Sequence, residues 1–586
     1  MARYWFIHLL IFAYGLLLGV GAWELAQREF GEDSKEPGKA VILAVNDVYR
    51  INGVAEGRLG GLARLRTLRA ELAQAHPDLL LLHAGDIIHP SLLSRLYGGQ
   101  QMIDGLNLLD GRRKRGTFDE RFFAVFGNHE FDESDCAEPD ELRGRVLESE
   151  FTWLASNIDF STCHGHPAFF QNLDSIKQSV LVESGGIKVG LFGLTIAFDD
   201  DEAKRQPTVL PYQQVARKVS KDLRQKGAQV VIAVTHLNID DDLALLSALG
   251  DEGPDVVVGG HDHQRMALPA ETPRVFKADA DAVSASVIEI TLGKDGKPII
   301  AHRFEELDER MAKDLLVQQV VDHWLHRHAT EFCAKDSKPA SCLDTVVGHS
   351  RTEIEAEELA NRNRETNLGD WIADRMLEKR SDAEVAMLNS GTLRLNYNLP
   401  ARAMLRERHL RELIGFPVSL LAFDITGAQL WSAMQNAIAR RGSGGWAHIA
   451  GAALQLTTDE QQQLQLGGLL VKRRNGTVVQ VSPDSMERFR LVTSAFLACG
   501  GDGYDFGLDL SPYDGDREAC QDRIQGQVDA MGAEIDLLQV VRRSIEQANK
   551  PKGNEEAGIA PKVDGRICMA ASQPCLFTNW QKSLQD

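Results

Sequence analysis

Phe122-Phe123-Ala124-Val125-Phe126-Gly127-Asn128-His129-Glu130 is an unbroken apolar run that ends, after one glycine, on an amide, an imidazole and a carboxylate. A short run without polar residues reads as a strand buried on both faces, and the glycine as the turn at its carboxyl end. Four more segments repeat the arrangement. Val41 to Val45 leads into Asn46-Asp47, Leu79 to Leu82 into His83-Ala84-Gly85-Asp86, Val230 to Val234 into Thr235-His236, and Asp255 to Val258 into Gly259-Gly260-His261-Asp262-His263. Open α/β sheets place their active sites at the carboxyl ends of strands. One His or Asp at a strand end is usually a cap or a solvated loop residue; five such ends in succession are not accounted for that way. Carboxylate, amide oxygen and imidazole suit a borderline divalent metal, and the set is larger than one ion needs. The expectation is an α/β fold carrying a dinuclear metal site.

Composition bounds the rest. At 586 residues, 43% hydrophobic and 25% charged, the chain is globular and too long for one ordinary core, so two domains are expected. A formal charge of −20 without a basic stripe argues against long nucleic acid as a partner. A small anionic substrate fits, because two bound cations would invert the local field. The segment from Tyr4 to about Ala22 is nearly uncharged and follows one Arg, with Val20-Gly21-Ala22 in a small-x-small cleavage pattern. It reads as a secretory signal over residues 1–22, cleavage being expected, or as an uncleaved N-terminal anchor, which would be the protein's one link to a membrane. The eight cysteines agree with export, to a periplasmic or extracellular location, and none forms a C-x-x-C pair of the kind that holds structural zinc. Short loops favour disulfides between Cys333 and Cys342 and between Cys568 and Cys575; Cys136 with Cys163 and Cys499 with Cys520 are the remaining expected pairs.

Helical spacing from Met311 to His328, then a stretch with Lys, Ser and Pro from Ala334 to Ser341, puts a domain boundary there. The expected division is a first domain over 38–330, a linker over 331–345, a second domain over 346–548, and a polar tail over 549–586 draped on the surface. The second half shows a helix from Thr366 to Lys379 and a strand from Val385 to Leu388 running into Asn389-Ser390-Gly391-Thr392-Leu393-Arg394. A further helix, Gly427 to Arg440, leads to a Gly-rich loop that delivers Trp446, and Phe496 opens the stretch ending Gly500-Gly501-Asp502-Gly503-Tyr504. Arg364 and Arg394 have the fork geometry to grip a phosphate, or are arginines in surface ion pairs. Trp446 and Phe496 stand beside Gly-rich loops, where large rings are poorly explained as core and could clamp a base. Asp502 suits ribose hydroxyls, or is an Asx-type turn residue.

The first-half segments resemble the calcineurin-like metallophosphatases, whose pattern is D-x-H, G-D, G-N-H-E, a lone His and G-H-x-H; one position departs, Tyr49 standing where the family has His. The second half resembles the C-terminal domain of the 5′-nucleotidase family in Arg364-Glu365-Thr366-Asn367-Leu368-Gly369, in Asn389 and Arg394, and in Phe496 through Tyr504, with Ser390 for a Gly and Trp446 for a base-stacking Phe. The resemblance covers residues 40 to 548. It implies an N-terminal αββα sandwich followed by a second α/β domain that binds substrate, and hydrolysis of phosphate from a small-molecule nucleotide.

By the same resemblance Asp86 bridges two metals. Asp47, Tyr49, Asp86 and His263 would serve one, and Asp86, Asn128, His236 and His261 the other. His129 would act in catalysis, oriented by Asp132. Arg364, Asn389, Arg394, Trp446, Phe496 and Asp502 would bind substrate, and the second domain would move between open and closed arrangements. His83 and His89 are read as structural. The ions are expected to be divalent (Zn, Mn, Co or similar), with Tyr49 turned away from a weakened first site; the alternative is Tyr49 as a phenolate ligand to Fe³⁺. Alternative substrates are sugar nucleotides, 2′,3′-cyclic nucleotides or a thiosulfate-type bond, against which the aromatic pair weighs. A non-catalytic nucleotide-binding protein with a decayed first metal site is the rival of a different class.

Overall fold

The computed structural model describes residues 38–584 apart from 113–115, 135–139, 163–172, 199–205, 336, 460, 462, 509–519, 521–535, 551–555 and 570–574. The expected signal segment, Cys136 and Cys163 lie outside the described residues. All five apolar runs are strands: β1 (Lys39–Val45), β2 (Leu80–His83), β3 (Phe122–Val125), β4 (Val230–His236) and β5 (Val256–Gly259). They are followed by β6 (Val275–Lys277) and β7 (Ser284–Leu292).

β1, β2 and β3 lie side by side and parallel in a seven-stranded sheet, with β7 antiparallel to β1. β4, β5 and β6 are parallel neighbours in a six-stranded sheet. The two sheets pack face to face through Ile42, Leu80, Leu82, Phe123 and Val125 on one side and Ile232, Val234, Val256 and Val258 on the other. Alternate residues of the same strands face outward. Val41, Leu43, Leu81 and Phe122 meet the helices Leu62–Ala75 and Leu315–Lys335, whereas Val231, Ala233 and Val257 meet Tyr212–Gln225 and Ile239–Leu249. Burial on both faces is why no polar residue interrupts these runs, each buried Val, Leu or Ile contributing about 1.5–3 kcal/mol. The result is the expected αββα sandwich, with the carboxyl ends of β1 to β5 bringing their polar turns together.

The second domain is also α/β. One four-stranded sheet runs in the order Leu420–Thr426, Arg488–Ser494, Val385–Asn389, Ala447–Ala450; another runs Val478–Val481, Leu464–Lys472, Ala452–Thr458, Ile567–Met569. That last strand corrects the expectation of a surface tail. Ile567–Met569 pairs in parallel with Ala452–Thr458, and the N–H groups of Gly565 and Ile567 donate to the Glu365 carboxylate at 2.8 and 3.0 Å. Arg566 between them is 5% exposed and pairs with Asp374 and Asp564. A polar composition is compatible with burial when each charge finds a partner inside.

The helix Leu315–Lys335 passes the expected boundary at 330 before the Cys333–Cys342 disulfide closes the turn behind it. Cys499–Cys520 and Cys568–Cys575 are also bonded. Val54 and Ala55 of the first domain pack into the hydrophobic cluster of the second. No helix among the described residues is long and apolar enough to cross a membrane.

Candidate active site

The strand ends converge at a cost in backbone conformation. Asp47, Asp86, His261 and His263 all have left-handed backbones, with φ of 52°, 58°, 78° and 60°. A non-glycine residue held there costs about 1–3 kcal/mol, and such residues cluster at functional sites. Ligand atoms of Asp47, Asp86 and His263 lie within 4.8 Å of one another. The Tyr49 hydroxyl lies among them, 2.8 Å from Asp86 Oδ2, 2.7 Å from His263 Nε2 and 3.3 Å from Asp47 Oδ1. This corrects the expectation that Tyr49 turns away: its ring stands edge-on to both His129 and His263, and the residue is buried.

Asp86 Oδ2 faces a second group as well. It lies 3.3 Å from His236 Nε2, which is 3.2 Å from Asn128 Oδ1. His236 Nδ1 donates to the Ala84 carbonyl at 2.8 Å, which leaves the lone pair of the neutral ring on Nε2. The His261 ring stands 5.1 Å from that of His236, and its backbone N–H donates to Asp47 Oδ2 at 2.9 Å. A Cβ at Gly127 would come within 2.0 Å of Asp86 Oδ1, so only glycine lets this turn approach the carboxylate.

Charge is concentrated in a buried setting, Asp47, Asp86 and His236 being at most 1% exposed. Burial works against charging His263 and His236, yet Glu358 with Asp47 and Asp86 with Asp47 raise them to about 10 and about 9. Burial and His236 push His261 down to about 3. Burial and the two carboxylates hold the Tyr49 phenol well above its usual range. Buried carboxylates, imidazoles, an amide oxygen and a phenol around one point fit cations that displace these protons.

His129 sits beside the cluster, its N–H donating to Asp86 Oδ1 at 3.0 Å and its Nδ1 2.9 Å from Asp132 Oδ2. Burial disfavours its charged form, but Asp132 and Asp86 outweigh that and raise it. His83 is fully buried and lowered to about 4 by desolvation, and His89 is tied to Glu141 at 2.6 Å.

Three supporting residues were given no role from sequence, Glu130 although it closes the Gly-Asn-His-Glu motif and Lys277 and Asp281 outside any motif. The Glu130 carboxylate accepts N–H groups of Asp86, Ile87, Ile88 and Gly127 at 3.0, 2.5, 3.1 and 2.5 Å, binding the two ligand turns to each other. Lys277 is 1% exposed and donates to the carbonyls of Leu237 and Gly260 at 2.7 and 2.8 Å, while pairing with Asp242 and Asp262. Asp281 accepts the N–H groups of Tyr49 and Arg50 at 3.1 and 2.9 Å. Glu130 left its signal in that motif, and Lys277 left one at the end of its strand, where a cation after apolar neighbours demands buried partners.

The second domain reaches this centre through Arg394. Its carbonyl accepts from Arg50 at 2.5 Å, its Nε donates to Gly391 at 2.6 Å, and its charge acts on both His129 and Asp502. Asn389 Nδ2 donates to Asp502 Oδ2 at 2.9 Å, and the Phe496 ring lies against Gly501. Two expected substrate residues are otherwise engaged, Trp446 although its carbonyl accepts from the Ser390 N–H at 2.7 Å beside this group. Arg364 is paired with Glu355 on an exposed surface, the ordinary fate of an arginine with a carboxylate nearby. Trp446 is 2% exposed, so its ring is core in this arrangement and offers no face to a base.

Residues 40–265 match the calcineurin-like phosphoesterase family model and 346–507 match that of the 5′-nucleotidase C-terminal domain. The chain belongs to the calcineurin-like phosphoesterases that carry a 5′-nucleotidase C-terminal domain. This is a family of metal-dependent phosphoric ester hydrolases. The chain is 24% identical over 602 residues to the trifunctional nucleotide phosphoesterase of Bacillus subtilis (strain 168), which covers 94% of this chain but only 36% of that relative's length. A snake venom 5′-nucleotidase of Gloydius brevicauda is 22% identical over 630 residues, covering 96% of this chain and 95% of its own. The fold is shared with the 5′-nucleotidase precursor of Thermus thermophilus, at a TM-score of 0.67 and 20% identity over 91% of this chain and 100% of that one.

Proposed function

We propose that this member of the family is an exported hydrolase that removes phosphate from nucleotides at a two-metal centre. The observation that carries the reading is the shared Asp86 carboxylate, whose Oδ2 faces both Tyr49 with His263 and His236 with Asn128. Asp47, Tyr49, Asp86 and His263 would hold one cation; Asp86, Asn128, His236 and His261 would hold the other. Two such ions, when bound, lower the pKa of water and neutralise phosphoryl oxygens.

The chain's own residues do the rest. Asp132 engages His129 Nδ1, so Nε2 is the nitrogen through which His129 acts, donating its proton to the oxygen that leaves as the P–O bond breaks and water adds to phosphorus. Arg394 supplies positive charge toward the phosphate from the second domain. Asn389, Asp502 and Phe496 form the nucleoside side of the pocket, Phe496 as the stacking ring. Export is supported by the signal-like first 22 residues and by three disulfides, which persist in oxidising compartments.

Metal analysis together with a nucleotide panel read out as free phosphate tests the reading. About two metals per chain and phosphate release from nucleoside monophosphates support it. A metal-loaded protein that binds nucleotides without releasing phosphate would overturn it.

A further inference from the structure

Glu358 belongs to the second domain, at the start of the helix Glu358–Asn363, yet its Oε2 lies 2.6 Å from Nδ1 of His263 in the first domain. Both side chains are 8% exposed. The same imidazole turns Nε2 toward the Tyr49 hydroxyl at 2.7 Å and Asp47 Oδ1 at 3.2 Å. One nitrogen therefore faces the ligand cluster and the other a carboxylate. A histidine that binds metal through one nitrogen is commonly oriented by a carboxylate on the other, which fixes its tautomer and makes it a better ligand. Here that carboxylate comes from 95 residues away and from the other side of a domain interface.

The segment that carries Glu358 is itself held. Its other carboxylate oxygen pairs with Arg362 one turn along. Its N–H donates to Asn396 Oδ1 at 3.1 Å, and those of Ala356 and Glu357 donate to Asn398 Oδ1 at 2.9 and 3.2 Å. The loop bearing both asparagines begins beyond Arg394, whose carbonyl takes the guanidinium of Arg50 from the first domain, and Arg50 is anchored in turn on Asp281 at 2.5 Å. Two crossings of the interface, Arg50 to Arg394 and Glu358 to His263, thus flank one short stretch of the second domain.

We propose that Glu358 is a positioning residue that orients His263 as a metal ligand only while the two domains are docked, so that metal binding and domain docking strengthen each other. The proposal rests on the metal reading above. Whatever factor docking adds to metal affinity, metal binding must return to docking, because linkage is reciprocal.

Mn²⁺ titration of the chelator-stripped full chain, with small-angle scattering of the same samples, tests it. Glu358→Gln keeps the side chain's size and is expected to weaken one Mn²⁺ site by roughly 10–100-fold, with no further loss in a His263→Ala background. Mn²⁺ should contract the wild-type chain and leave the radius of gyration of Glu358→Gln unchanged. Unchanged affinity in Glu358→Gln, an equal loss with His263 absent, or a wild-type radius indifferent to Mn²⁺ would each overturn the proposal. A wild-type chain that binds no Mn²⁺ sinks the metal reading along with it, whereas Mn²⁺ binding insensitive to Glu358 sinks the proposal alone.

Discussion

His129 is tied down at both its backbone and its Nδ1, by Asp86 and Asp132, and stands beside the converging ligand set, its ring edge-on to Tyr49. His129→Ala should lower the turnover rate by roughly 10²–10⁴-fold while metal content stays at the wild-type value, and Asp132→Asn should show a milder loss of the same kind. Loss of metal in His129→Ala would make it a ligand instead. Tyr49 poses the converse question, since its hydroxyl is within hydrogen-bond reach of three groups of the cluster. Tyr49→Phe keeps the ring that packs on His129 and His263 and removes the oxygen alone. The variant should retain about one metal per chain where wild type holds two, and Tyr49→His should restore the second. A visible absorption band in the wild type that disappears in Tyr49→Phe would assign ferric iron to that position; a colourless protein would assign a divalent ion.

β6 contributes a single charged side chain that decides how two ligand turns sit. Lys277 bonds the carbonyl that follows His236 and the one that precedes His261, and pairs with Asp262 between His261 and His263. Lys277→Met leaves two carboxylates without their cation and should cost about 3–5 kcal/mol, read as a fall in denaturation midpoint, together with loss of metal retention. Adding Asp262→Asn should recover part of both. In the second domain, the helix Asn367–Lys379 buries Asp370, which burial and the neighbouring Glu365 push up to about 10. An unfolded aspartate titrates near 3.8, so across the interval between these values the folded chain holds a proton that the unfolded chain has released. Stability from this group is complete below that interval and falls as pH rises through it. The melting temperature should therefore decline between pH 5 and pH 9, and Asp370→Asn, a permanently neutral isostere, should flatten the slope. An unchanged slope in the variant would show that Asp370 is ionised in the fold.

The two domains meet over the candidate ligand cluster, with Arg50 bonded to Arg394 and Glu358 to His263. On the proposed reading nucleoside recognition belongs to the second domain, so a substrate without a nucleoside should be indifferent to Phe496. Phe496→Ala should raise KM for nucleotides by about 5–100-fold, the equivalent of a stacked base, and leave hydrolysis of a small aryl phosphate nearly unchanged. Trp446→Ala should instead lower stability, because the ring is core. Equal losses on both substrates in Phe496→Ala would remove the stacking role.

Much of this arrangement was legible in the chain. Continuous apolar runs that stop on Gly and a polar residue have one economical meaning, a strand buried on both faces with its turn at the carboxyl end, because period and turn chemistry act between near neighbours. The doubly buried strands and the assembly of Asp47, Asp86, Asn128, His236, His261 and His263 at their carboxyl ends follow from that local pattern, whereas the αββα layering was implied by the family resemblance. The direction of Tyr49, the burial of Trp446 and the capture of Ile567–Met569 by a sheet were not legible. Each depends on which distant surface is available to pack against, and composition averages that away. Least legible of all were the charges that meet across the fold: Glu130 under the turn at Asp86, Lys277 between Asp242 and Asp262, Glu358 on His263. A buried charge is tolerated only beside its partner, and separations in sequence such as the 95 residues between His263 and Glu358 carry no trace of that proximity until the chain has folded.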